Sequence, residues 1–296
     1  MSFMLFLKLV RWKNLSILLF CQLLFKYFVF PFFNTTSLLT IFEFTLLLIS
    51  TIFIAAGGYV INDIFDVDCD LINKPKQSFI PSKISIKTAK KSYWILSSIG
   101  IILGILLSFQ RDLPYYSFLF LGIVSLLYFY SSHLKKIAFI GNLTIAILVS
   151  SCLLVFALFD TTLLDNSMGI YYLWVFTFFS FCINLLREII KDIEDIKGDY
   201  NTGMKTLPIV LGVERTKKAI LILSLVPLYF SIHFLTTDLI NNSWAQVYFS
   251  IFILIPLFYF IYKTHNSTKS KEFKQLSKLL KWILIFGLLL IFLITT

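Results

Sequence analysis

Two sets of aspartates in this 296-residue chain share one spacing, and that spacing suits chemistry on a phosphate. Asp63, Asp66 and Asp70 stand at i, i+3 and i+7, with Asn62 directly before them. Asp192, Asp195 and Asp199 repeat the interval, with Glu188 one turn earlier. On a helix each trio falls on one face, and at 1.5 Å per residue Asp63 and Asp70 lie about 10 Å apart. Asn62, four residues before Asp66, adds a neutral oxygen to that face. Three carboxylates beside hydrocarbon repel one another and are costly to desolvate, so they require a cation. Oxygen donors select a hard divalent ion, and Mg²⁺ held by few carboxylates keeps coordination sites open for phosphate oxygens. Two trios facing each other would hold metal and a diphosphate between them.

Basic and aromatic residues complete the constellation. Lys135 and Lys136 follow Tyr128-Phe129-Tyr130, Arg187 and Lys191 lie within a turn of the second trio, and Arg11 precedes the first apolar run. Cations beside a metal-bound phosphate stabilise the charge that develops on a departing diphosphate. Lys135 and Arg187 are the candidates for that role, whereas interfacial placement alone accounts for Lys90, Lys136 and Lys217. The ring faces of Tyr128 and Tyr130 suit a transient carbocation. Asp68 and Glu194 point away from their trios, toward water or lysines. Glu43 lies 20 residues before Asp63, about 30 Å along one helix, so it belongs to the opposite interface. His133, His233 and His265 show no partner pattern. Cys21, Cys69, Cys152 and Cys182 have neither disulfide nor metal spacing.

The elements that position these residues are membrane helices. The chain is 58% hydrophobic and only 14% charged, with mean hydropathy +0.86, where a soluble domain carries about 25% charge. Apolar stretches long enough to cross a bilayer run over 15–33, 38–61, 92–110, 114–131, 137–159, 169–190, 217–237, 244–262 and 279–295. The expectation is an all-α, polytopic membrane protein with nine transmembrane helices. With nine spans, every Lys and Arg except Lys26 and Arg111 falls on the side of the N-terminus and of the loops after the even-numbered helices. That side is therefore expected to be cytoplasmic in a multi-pass inner-membrane protein. Orientation also accounts for most of the net charge of +10, so a nucleic-acid partner is not expected. The first apolar run is too long for a secretion signal and lacks a small-residue cleavage site, so it reads as the first helix.

Residues 1–296 form one transmembrane domain, whose two long polar segments, 62–91 and 191–217, both lie on the motif side. Each begins with an acidic trio, passes a turn-rich stretch and a proline (Pro81, Pro208), and re-enters the membrane through a basic helix start. The likeness hints at an internal duplication with a period near 129 residues.

A metal–diphosphate site at the mouth of an apolar bundle suits ionisation of an allylic prenyl diphosphate, with the tail among the helices and the leaving group drawn off by metal. A transporter would also place carboxylates in membrane helices, but both trios lie at one interface rather than at the midplane. A non-catalytic prenyl-lipid binder would leave the repulsion among seven preserved ligands uncompensated.

At these residues the chain resembles the UbiA superfamily of intramembrane prenyltransferases. The family's N-D-x-x-D-x-x-x-D motif is matched by Asn62-Asp63-Ile64-Phe65-Asp66-Val67-Asp68-Cys69-Asp70, and its D-x-x-D-x-x-x-D by Asp192-Ile193-Glu194-Asp195-Ile196-Lys197-Gly198-Asp199. Arg187-Glu188-Ile189-Ile190-Lys191 and Gly203-Met204-Lys205-Thr206-Leu207-Pro208 resemble the usual surroundings of the second motif. Tyr130…Lys135 with Gly141-Asn142 is similar to its tyrosine–lysine motif, and Arg11…Asn14 to its helix-one polar pair. The resemblance implies a horseshoe of nine helices around a central cavity. It implies two Mg²⁺ ions bridging Asn62, Asp63, Asp66, Asp70, Asp192, Asp195 and Asp199 to a prenyl diphosphate, with Lys135 and Arg187 assisting. Arg11, Asn14, Tyr128, Tyr130 and Lys191 are the further substrate-binding candidates, and Asp66, Asp195, Lys135 and Arg187 the catalytic ones.

Within the superfamily, Asn62 to Pro75 and Arg187 to Asp199 look most similar to the digeranylgeranylglyceryl phosphate synthase subgroup. That likeness implies a geranylgeranyl or similar donor and a lipophilic glycerol phosphate acceptor, joined as an ether within the lipid bilayer. The chain departs from the subgroup at Asn73-Lys74-Pro75 and Pro81-Ser82-Lys83, where relatives often show Asn-Arg-Pro and Pro-x-Gly. Prenylation of an aromatic quinone precursor, of haem or of chlorophyll is the alternative within the same chemistry.

Overall fold

Apolar side chains at nearly every position leave the backbone to satisfy its own polar groups, and in a bilayer the helix does this within one segment. The computed structural model describes residues 3–33, 37–75 and 78–295, and Lys76, counted above among the motif-side cations, lies outside them. Among the described residues the chain is all helix, turn and loop, apart from one isolated parallel bridge between Ile137 and Lys205.

Among the described residues eight helices are long and apolar enough to cross a membrane: Trp12–Phe32, Ile41–Phe65, Ile86–Gln110, Pro114–Lys136, Ser167–Asn201, Val213–Thr237, Ser243–Asn266 and Ser270–Thr295. A bent pair, Ile140–Ser150 and Cys152–Phe159, makes up to one more, and counted as one span it is the fifth of nine among the described residues. The pair turns through 41° where Ser150 and Ser151 Oγ donate back to the carbonyls of Ile147 and Leu148, each at 3.1 Å. Such back-bonding bends helices. Two wide turns, Phe25–Val29 and Ser250–Leu254, come just before Pro31 and Pro256. A proline ring clashes with the carbonyl four residues earlier, and the π-turn makes room for it.

The helices are longer on the motif side than hydropathy predicts. The sixth span continues to Asn201 and carries the whole second motif, and the ninth begins at Ser270. Polar residues there share helical periodicity with the apolar ones, so the helix outlasts the hydrocarbon. A short, mostly apolar helix, Phe3–Leu9, precedes the first span.

Lipid tails are as apolar as leucine, so close packing rather than water exclusion joins these helices. Spans two and three meet through Gly57, which faces Ser97, and Gly100, while Gly104 makes room for Phe120 of the fourth span. A Cβ on Gly100 would lie 2.6 Å from Ile54 Cγ1 and 3.2 Å from the Ser50 carbonyl, and Ser50 Oγ donates to the Gly100 carbonyl at 2.7 Å. The two cations absent from the motif side have partners at the far interface. Lys26 Nζ donates to the Leu39 carbonyl at 2.7 Å, and Arg111 pairs with Glu43 at 3.8 Å. Glu43 itself closes a capping box with Thr40, which gives it the structural role expected of it.

Candidate active site

The second span carries the first motif toward the bundle mouth and bends as it arrives. Its regular helix ends at Phe65, Asp66 takes φ −90° and ψ 1°, and a short helix Val67–Asn73 continues the chain. The hydrogen-bond ladder survives the bend: the Asp66 amide donates to the Asn62 carbonyl at 2.9 Å and that of Asp70 to Asp66 at 2.8 Å. The straight row expected from the spacing is thus a kinked one with Asp66 at the kink. The second motif rides on an unbroken helix, Ser167–Asn201.

Contacts on one side of the bundle hold the motifs face to face. Asn73 Nδ2 donates to the Asp195 carbonyl, and the Gly198 amide donates to Asn73 Oδ1, both at 2.8 Å. Cys69 Sγ donates to Asp199 Oδ1 at 3.0 Å, and Lys74 Nζ to Asp195 Oδ2 at 2.7 Å. Gly198 permits this approach, because a Cβ there would lie 2.7 Å from the Cys69 carbonyl oxygen.

Protein cations and amides already neutralise most of the acids. Arg11 Nη2 donates to Asp63 Oδ1 at 2.6 Å, and its guanidinium lies 5.1 Å from the Tyr59 ring centre. Lys135 Nζ donates to Asp66 and, at 3.4 Å, to Asn62 Oδ1. Asn62 Nδ2 donates to Asp66 Oδ2 at 2.7 Å and Asn142 Nδ2 to Asp192 Oδ2 at 2.8 Å. Glu188 accepts from Arg187 Nη1 at 3.1 Å and from Lys191 Nζ at 2.8 Å. Lys135 reaches the acids because Gly141 lets the fifth span start against its backbone; a Cβ on Gly141 would lie 2.8 Å from Lys135 Cα.

Among the described residues, therefore, no three of His, Cys, Asp and Glu stand together as a ligand set. Arg11, Lys135 and Lys74 pair with Asp63, Asp66 and Asp195 of the carboxylates expected to hold metal. The donors nonetheless fit a hard divalent ion. Asp66 Oδ1 and Asp195 Oδ1, one from each motif, are buried without a hydrogen-bond partner, and such orphaned oxygens mark a missing ligand. Outside the spans, burial and then the nearby Asp66 raise the Asp70 carboxyl to about 6. Burial opposes the charge on Lys74, but Asp195 beside it raises its pKa above the ordinary value.

These groups open into a cavity of about 480 Å³, within the range of about 300–1,000 Å³ usual for small-molecule sites. Its lining includes Asn62, Asp66, Asp70, Asp192, Asp195 and Asp199 at one end. It continues past Ile54, Phe120, Ile123 and Phe176 to Tyr171 and His233 near the other. Arg11, Asn14, Tyr130, Lys135, Arg187 and Lys191 line it too. Two expected residues stand outside the lining. Asp63 is turned to Arg11, and Tyr128 is 45% exposed with its ring against Phe65 and Tyr93.

Sequence reasoning passed over Asn73, Cys69, Tyr59 and Lys281 as site residues. Asn73 carried a signal, since it extends the aspartate spacing one step beyond Asp70. Lys281 carried another: it is a cation set in the ninth span, and such charges are costly in lipid.

A family model described as the UbiA prenyltransferase family matches residues 23–292. Similar curated proteins are the digeranylgeranylglyceryl phosphate synthases of Methanosphaera stadtmanae and Sulfurisphaera tokodaii. The first is 33% identical over 81% of this chain and 82% of that protein. The second is 36% identical over 60% of this chain, and the match spans 63% of that relative's length. A solved structure described as concerning digeranylgeranylglyceryl phosphate synthase in membranes is 27% identical with TM-score 0.64, covering 97% of this chain and 95% of that one. The fold alone is shared with a UbiA homolog from Archaeoglobus fulgidus bound to DMAPP and Mg²⁺, at 19% identity and TM-score 0.59 over 97% of this chain and 98% of that one.

Proposed function

The chain belongs to the UbiA prenyltransferase family, and we propose that it moves a geranylgeranyl-type group from its diphosphate to the hydroxyl of a prenylated glycerol phosphate. The observation that carries this reading is the pair of orphaned oxygens, Asp66 Oδ1 and Asp195 Oδ1, set at the polar mouth of an apolar cavity. When bound there, Mg²⁺, as two ions, would neutralise diphosphate oxygens and make the diphosphate a better leaving group. Asn62, Asp66, Asp70, Asp192, Asp195 and Asp199, which line the cavity, would hold it, with Asp63 joining them only on leaving Arg11.

The protein's own groups do the rest. Lys135, Arg187 and Lys191, with Arg11 and Asn14, lie where they can bind the diphosphate and stabilise the charge it gains on leaving. The apolar wall from Ile54 to Phe176 takes the tail and excludes water, so that the acceptor rather than water captures the cation. Tyr130 lines the cavity near Lys135 and offers a ring face to that cation. In balance, the bond from prenyl C1 to the diphosphate oxygen breaks, a bond from C1 to the acceptor oxygen forms, and the hydroxyl proton is released with the diphosphate.

The motif-bearing side is assigned to the cytoplasm, because all but two of the Lys and Arg residues lie there. The whole chain acts as one domain, with segments 62–91 and 191–217 over the mouth. To test the reading, purified protein in lipid is incubated with Mg²⁺, geranylgeranyl diphosphate and a panel of acceptors, and products are identified by mass spectrometry. The panel holds prenylated glycerol phosphate, hydroxybenzoate and naphthoate. An ether with the glycerol phosphate is expected, and prenylation of an aromatic acid alone would overturn the assignment.

A further inference from the structure

Beyond the acidic mouth, the cavity holds a second charged group of opposite character. Arg11, Arg187, Lys191 and Lys281 all line it, from the first, sixth and ninth spans. Arg11 pairs with Asp63 and has Asp66 nearby, and Arg187 and Lys191 share Glu188, with Asp192 beside Lys191. Three of the four cations thus face carboxylates. Lys281 is the one left over: its hydrogen-bond partner is the neutral Asn14 Oδ1, at 2.5 Å. The charges acting on it are those of Arg187 and Lys13, both positive. The guanidinium Nε of Arg187 is buried without a partner.

An ammonium placed in a membrane span among like charges is costly unless an anion joins it. The prenyl diphosphate is already assigned to the metal-binding mouth with Lys135, Arg11, Arg187 and Lys191, and Lys281 lies outside that set. We infer that Lys281 forms a subsite that binds the phosphate monoester of the acceptor, bordered by Asn14 and by Arg187, which it shares with the donor diphosphate. The ammonium of Lys281 and the open Nε–H of Arg187 complement a phosphate monoester, whose dianion attracts them more strongly than the single charge of an aromatic acceptor's carboxylate. The inference rests on the proposed reading and names the feature that selects its acceptor. Anchoring the phosphate from the ninth span leaves the glycerol hydroxyl free to face the donor.

The test compares wild-type protein with Lys281→Gln and Lys281→Arg in lipid nanodiscs, using geranylgeranyl diphosphate as donor. Each is given geranylgeranylglyceryl phosphate and, separately, the same lipid without its phosphate. Wild type should prefer the phosphorylated acceptor, by kcat/KM. Lys281→Gln should lower that preference about tenfold or more, the worth of a charged hydrogen bond in a dry site, and Lys281→Arg should restore much of it. A preference unchanged in Lys281→Gln overturns the inference. Binding of the phosphorylated acceptor alone, measured in EDTA, separates the two claims. If wild type makes no ether yet binds this lipid through Lys281, the proposed reaction fails and the subsite stands. If ether forms while Lys281→Gln binds and discriminates as wild type does, the subsite fails and the reaction stands. No binding by wild type overturns the subsite.

Discussion

Asn73 and Gly198, 125 residues apart in sequence, are joined by a 2.8 Å hydrogen bond that fixes the first acidic motif against the second. The other end of the Asn73 amide holds the Asp195 carbonyl, so one side chain bridges the two segments twice, beside the Cys69–Asp199 and Lys74–Asp195 bonds. Neither residue is a metal donor. Their importance is positional: binding oxygens supplied by two helices are useful only at a fixed distance.

Replacing Asn73 by Ala removes both bonds and should destabilise the protein by about 1–3 kcal/mol, with a larger fractional loss of turnover than of Tm. Gly198→Ala should be worse, because its Cβ would meet the Cys69 carbonyl at 2.7 Å. Thermal unfolding in detergent together with turnover in lipid checks both. Wild-type activity in Gly198→Ala would show that the motifs need not approach this closely.

Lys74 competes with metal for Asp195. Lys74→Gln frees Asp195 Oδ2, now bonded at 2.7 Å, and should lower the Mg²⁺ concentration for half-maximal activity a few-fold, as befits a partly exposed ion pair. A rise in that concentration would mean that Lys74 helps to assemble the metal site.

Metal binding should also weaken in acid. Burial and Asp66 raise Asp70 to about 6, above the ordinary carboxylate range, and only its ionised form is a ligand. Above pH 6 no proton has to be displaced. Below it, each unit should cost up to about tenfold in Mg²⁺ affinity through this one proton. Mg²⁺ titrations between pH 5 and 8 read the effect directly, and affinity independent of pH over that range would remove Asp70 from the ligand set.

Tyr130 lines the cavity and Tyr128 does not. Tyr130→Leu should therefore lower kcat by about tenfold, the order of one lost cation–π contact in a dry site. Tyr128→Leu should stay within about twofold of wild type, as surface changes do. Equal losses would return Tyr128 to the site.

Much of this architecture was legible in the chain. Long apolar runs specify the spans, because lipid permits few other solutions. The motif aspartates could be read because their spacing matches a helical face. What spacing could not reveal was partnership across the chain. That Lys135 holds Asp66, Lys74 holds Asp195 and Asn142 holds Asp192 depends on which helix ends meet in space. The kink at Asp66 was hidden as well, since no proline or glycine marks it. Nor did hydropathy mark the ends of the sixth and ninth helices, where polar residues keep helical periodicity beyond the hydrocarbon.

The central claim is that the two acidic motifs make one metal–diphosphate site, and turnover of Asp66→Ala, Asp195→Ala and the double variant in lipid tests it most directly. Each single change should cost at least about a hundredfold in kcat, and the double should cost little more than the worse single one, as for groups acting as a unit. Wild-type turnover in either single variant, or losses that multiply in the double, would contradict it.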